Sequence, residues 1–193
     1  GIAEKRIRDL TDQARTILLF AQHRWPEAIS THLWPYALRA ANDSLNNSPR
    51  LSDKVLPFEA FSRQKTTMKI RQQHTFGCPV YPLNNKLQGG KYLSRWSNRA
   101  RIGIYLGMSP QHARSVALVL NVKTGLVSPQ FHVEFDDLFE TVSEKSGNRK
   151  VDSRWQVLAG LRKAPKGTVL TVTPPVNQGA ELDTFPDLVL THT

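Results

Sequence analysis

Apolar side chains in the first two dozen residues return at helical intervals: Ala3, Ile7, Leu10, Ala14, Ile17 and Ala21 lie 4, 3, 4, 3 and 4 residues apart. That rhythm lays one apolar stripe down a face and predicts an amphipathic helix. The stripe runs into His23-Arg24-Trp25-Pro26, where proline cannot continue the hydrogen-bond ladder. A second helix is predicted from Pro35, a good first-turn residue, to about Asn46, with Ala37, Leu38, Ala41 and Leu45 as its apolar face. Asn46-Asn47-Ser48-Pro49 stops it. A short helix from Pro57 to Arg63 would carry Phe58 and Phe61. Trp25 and Trp34, beside proline-broken turns, read as packing residues.

Downstream the period falls from about 3.6 to about 2, the signature of strands. Strands are predicted at Cys78–Tyr81, Arg101–Leu106 and Val116–Val122, the last closed by the turn signal Lys123-Thr124-Gly125. From Val127 the alternation puts Val127, Phe131, Val133 and Phe135 on one face and Ser128, Gln130, His132 and Glu134 on the other. Pro129 interrupts the inward set and marks an edge strand or a bulge. Several short antiparallel strands imply a small barrel, because a lone hairpin is marginal. Beyond about Thr141 the pattern fades. Residues 153–161, around Trp155, read as a short helix, and Pro165, Pro174, Pro175 and Pro186 mark a linker or tail.

Composition narrows the function classes. The 193 residues allow one domain or two small ones, and 39% apolar content supports a compact core only if some of the chain lies outside it. One cysteine excludes a disulfide framework and any cysteine-cluster metal site. Apolar runs such as Val116–Leu120 fall far short of the roughly 18 residues of a membrane span. Beginning on Gly without a charged-then-apolar leader, the chain reads as an intracellular piece of a longer polypeptide.

Charge is unevenly placed. Residues 1–110 hold 17 basic and 7 acidic side chains, whereas 111–193 hold 9 of each. Within 54–101 there are ten basic residues and one acid, Glu59. Such focused positive charge suits polyanions, since each neutralised phosphate releases condensed counterions. The stretch lacks the long amphipathic helix that would lie in a membrane interface. Gly89-Gly90, Gly103 and Gly107 lack the spacing of a phosphate-cradling loop. His23 and Cys78, 55 residues apart with no second pair, make no metal site; Cys78, near Phe76 and Tyr81, reads as a buried thiol. Asp136-Asp137 reads as a solvated strand end or a turn.

Several short motifs occur together in an order that resembles a retroelement polyprotein. Gly1-Ile2-Ala3-Glu4-Lys5-Arg6, followed by the helical stripe, is similar to the helix carrying the last catalytic acid of copia-type retrotransposon integrases. Phe76-Gly77-Cys78-Pro79-Val80-Tyr81, Arg101-Ile102-Gly103-Ile104-Tyr105-Leu106-Gly107, Val127-Ser128 and Val133-Glu134-Phe135-Asp136-Asp137 resemble that family's retroviral-polymerase SH3-like domain. The resemblance covers roughly residues 1–140.

The resemblance implies an α+β organisation. Residues 1–65 would be the terminal helices of a ribonuclease H-like integrase core, and 66–140 a small antiparallel SH3-like β-barrel with its basic approach segment. Residues 141–193 would be a poorly ordered linker or tail, with the short helix at 153–161. Integrase cores hold two magnesium ions between three carboxylates for in-line phosphoryl transfer. Glu4 matches the third acid, and the two core aspartates are absent from this chain. The chain is therefore expected to be non-catalytic by itself, with no cofactor of its own and magnesium only in the complete integrase. Arg8 shares a helix stripe with Glu4, Thr11 and Arg15 and is a candidate DNA contact; an exposed helix pair between Glu4 and Arg8 is the plainer reading. Lys69, Arg71, Lys86, Lys91, Arg95, Arg99 and Arg101 are the expected phosphate contacts. The implied partners are DNA and the rest of the polyprotein, with no membrane, in the nucleus when chromosomal DNA is the target. Rival readings are a protein-interaction module built on the barrel and a degraded transposon remnant.

Overall fold

In a computed structural model describing residues 1–49, 54–65, 73–84, 87, 90–113 and 115–143, the first apolar stripe folds as one long helix, α1 (Ile2–Arg24). Proline ends it as predicted, with the Trp25 N–H closing the last turn on the Ala21 carbonyl at 2.9 Å. A 3₁₀ turn (Thr31–Leu33) leads into α2 (Trp34–Asn46), which carries Pro35 in its first turn. A short α3 (Pro57–Ser62) follows. Five strands come next: β1 (Pro79–Pro82), β2 (Gly103–Met108), β3 (Ala117–Asn121), β4 (Val127–Gln130) and β5 (Val133–Phe135). A 3₁₀ turn (Glu140–Val142) closes the described chain. The architecture is α+β, helices first and then an antiparallel sheet of order β4-β3-β2-β1-β5. The helix expected at 153–161, like the rest of 144–193, lies outside the described residues.

The alternation across 127–135 is not one strand. It breaks at Phe131-His132, where the chain leaves one edge of the sheet and joins the other. Phe131, predicted inward, is 61% exposed, while Gln130, predicted outward, is buried with its amide donating to Ser128 Oγ at 2.9 Å. Pro129 sits on β4, an edge strand, where a missing N–H is tolerated.

That two-residue link dictates the shape of the sheet. Gln130 pairs with Ala117, which pairs with Met108, whereas Val133 pairs with Pro82 near the start of β2. On a flat sheet the edge strands would lie about 19 Å apart, and the link would also have to run back along most of β2. Three Cα steps span at most about 11 Å. The sheet must therefore roll and shear, as barrel sheets do. It stops short of the expected barrel: among the described residues no ladder joins β4 to β5.

One core joins the helices to the sheet. Ala14, Leu18, Ala21, Trp25, Ile29, Ala37 and Ala41 bury together with Cys78, Val80, Ile104, Leu106 and Val119. The helix seam is largely alanine, which lets α1 and α2 approach closely. Gly77, at φ +78°, brings the sheet onto α1: a Cβ there would lie 2.6 Å from Ala21 Cβ. The Arg39 guanidinium ties α2 to the Met108 carbonyl of β2. Because the sheet meets α1 near Phe20 and Ala21, the N-terminal half of the predicted stripe stays open, and Ile7 is 65% exposed. Trp34, predicted to pack, is also exposed, at the outer start of α2. Trp25 is fully buried, as predicted.

Candidate nucleic-acid interface

Between β1 and β2 the chain makes a long excursion whose base is closed by three contacts. Leu83 bridges Ala100, the Asn84 N–H donates to the Arg99 carbonyl at 2.8 Å, and the Arg101 N–H donates to the Pro82 carbonyl at 3.2 Å. On its returning side a tight turn runs from Ser94 to Ser97, with a 3.0 Å backbone bond from Ser97 N–H to Ser94 O and a 2.5 Å contact between the two hydroxyls. Lys91, Arg95 and Arg99 all stand exposed on this excursion. Arg101 differs: it is half-buried just before β2, and burial lowers its pKa. Lys69, Arg71 and Lys86 lie outside the described residues. No Asp or Glu occurs in the sequence between Glu59 and Glu134, so nothing on the excursion itself neutralises its cations.

The helical candidates lie elsewhere. Glu4 is in the first turn of α1 with its side chain 77% exposed, contacting the Gly1 amino group, and Arg8 is exposed one turn on. The expected Glu4–Arg8 pair does not form among the described ion pairs. No three His, Cys, Asp or Glu side chains converge to hold a metal among the described residues. No described helix is long and apolar enough to cross a membrane.

Sequence reasoning missed one polar cluster. Asp137 receives the Thr75 N–H at 2.6 Å and lies 3.0 Å from His74 Nδ1. His74 stacks flat on Phe135, ring centroids 3.5 Å apart. Beside it, Asp136 accepts from the Glu140 N–H at 3.0 Å, the Thr141 N–H at 2.8 Å and the Thr141 hydroxyl at 2.5 Å. Burial pushes the Asp136 pKa up, but the bonds from Thr141 and its neighbours outweigh this and leave it lowered. The doublet was visible as a turn signal; His74, 63 residues from Asp137, carried none.

A histidine beside a carboxylate invites a catalytic reading, and the neighbouring nucleophile argues against one. Burial first, then Asp137 and Asp136, raises the Cys78 pKa and keeps the thiol protonated. Burial likewise raises that of Tyr105, reinforced by Cys78 and Asp137. The cluster acts as a latch holding the segment before β1 against the end of β5. His74 also lines a cavity of about 250 Å³ with Asp43, Asn47 and Met108.

No protein-family model matches the chain, and no curated protein or solved structure matches it either.

Proposed function

We propose that this chain is a DNA-binding, non-catalytic segment of a copia-type integrase. It would act in DNA integration, in the nucleus, alongside the rest of its polyprotein. The observation that carries the reading is the excursion between β1 and β2, where Lys91, Arg95 and Arg99 stand exposed in a stretch of sequence free of acids. Exposed cations on one acid-free element attract phosphate backbones regardless of base sequence. Chemistry is assigned to the complete integrase, because Glu4 is one of three acids and a single carboxylate cannot clamp two magnesium ions.

Fluorescence anisotropy on two unrelated duplexes across a salt series tests this. Binding is expected with a dissociation constant on the order of 10⁻⁴–10⁻⁶ M at physiological salt, equal for both sequences. With about four phosphates engaged, the log–log salt slope is about −3.6. Lys91→Glu, Arg95→Glu and Arg99→Glu together should weaken binding and flatten the slope. Affinity indifferent to salt, or untouched by the triple reversal, would overturn the reading. The second reading, a protein-interaction module, is favoured by exposed Leu19, Phe20 and Trp34 on the helices, and would gain from that negative result.

A further inference from the structure

The same excursion carries aromatic rings that phosphate binding does not require. Tyr92 is 86% exposed and Trp96 94% exposed. An indole can remove about 150–250 Å² from water, so leaving one exposed on a loop forgoes a large stabilisation. The turn makes this placement: Arg95 and Trp96 are its two central residues, between Ser94 and Ser97, and both are exposed. A third exposed ring, Phe131, stands at the base of the excursion. The carbonyl of its neighbour His132 accepts the Leu83 N–H at 2.9 Å, tying the Phe131-His132 link to the Leu83–Ala100 bridge. Tyr81, Leu83, Ala100, Phe131 and His132 line a groove there of about 420 Å³, with Glu134 as its carboxylate. Trp96 and Ala100 are four residues apart, so turn and groove lie within about 14 Å along the chain.

Cations beside exposed rings match the chemistry of an unpaired polynucleotide. In a duplex the base faces are covered by stacking, and an indole outside the helix has nothing to stack on. An unpaired strand offers both a charged backbone and free π-faces. We propose that the excursion and its groove bind single-stranded DNA, with Trp96, Tyr92 and Phe131 stacking on unpaired bases while Lys91, Arg95 and Arg99 hold the phosphates. This rests on the DNA-binding reading above and narrows its substrate.

The test uses the full chain with a labelled oligothymidine of about twelve nucleotides, within the range of known single-strand sites, and a duplex of equal length. The oligothymidine should bind more tightly than the duplex and quench tryptophan emission. Trp96→Ala, Tyr92→Ala and Phe131→Ala should each weaken oligothymidine binding on the order of 5–150-fold and leave duplex binding unchanged. Trp96→Phe, which keeps a ring, should retain most of the affinity. If the alanine variants bind oligothymidine as wild type does, or lose duplex affinity equally, stacking is overturned while salt-dependent duplex binding still upholds the broader reading. If neither DNA binds with salt dependence, both fall. Tighter binding to oligouridine than to oligothymidine would overturn DNA as the occupant.

Discussion

Replacing Gly77 by alanine probes a close contact between α1 and the segment leading into β1. Gly77 has φ +78°, a left-handed conformation that opposes any Cβ, and its added methyl would lie 2.6 Å from Ala21 Cβ and 3.4 Å from Ile29 Cδ1. The left-handed backbone costs about 1–2 kcal/mol for an L-residue. Forcing a methyl into a packed seam adds about 1–3 kcal/mol, giving a total of about 2–5 kcal/mol. Gly90→Ala is the matched control, since Gly90 also has positive φ (+69°) but nothing lies within 4 Å of an added Cβ. It should lose only the conformational part. With a urea m-value of about 2 kcal/mol/M, the Gly77 variant should unfold at a midpoint about 0.5–1.5 M below the Gly90 variant. Circular dichroism at the helix band follows both transitions. Adding Ala21→Gly to the Gly77 variant removes the opposing methyl, so the double-mutant cycle should show favourable coupling of about 1 kcal/mol or more. Equal losses at Gly77 and Gly90, with no coupling to Ala21, would refute the close seating of the sheet on α1.

Two further outcomes follow from the polar cluster and the buried thiol. Hydrogen bonds from the Glu140–Val142 turn hold the Asp136 carboxyl below the ordinary aspartate range, so its stabilising contribution is complete above the unfolded value and is lost as pH falls through the depressed folded one; urea midpoints measured between neutral and strongly acidic pH should therefore drop less steeply in Asp136→Ala, and an unchanged acid limb would count against the cap on that turn. Cys78 is fully buried with its thiol held protonated, so a thiol-specific reagent at mildly alkaline pH should label it only after unfolding; rapid labelling of the native chain would contradict that burial.

Much of the candidate interface was legible in sequence because charge is additive along a chain. Ten basic residues against one acid in 54–101 concentrate positive charge on that segment whatever the fold. The aromatic half was not legible. A tryptophan in sequence is by default a core residue, and only the Ser94–Ser97 turn leaves Trp96 exposed while Trp25 disappears into the core. Arg101 matches its neighbours in composition, yet its place at the mouth of β2 half-buries it.

What the sequence alone determined is the local grammar: α1 and its stop at Pro26, α2 opening on Pro35, and the change of period that makes the second half a sheet. These follow from interactions a few residues long, which periodicity reads directly. Tertiary structure decided which part of a stripe is buried. Ala14 and Ala21 are buried, Ala21 directly against Gly77, and Ile7 is not. It decided that 127–135 is two strands, because a link between opposite edges of a rolled sheet leaves no trace in local alternation. It also decided the latch of His74 on Asp137, since a contact across 63 residues depends on the path of the backbone rather than on either residue's neighbours.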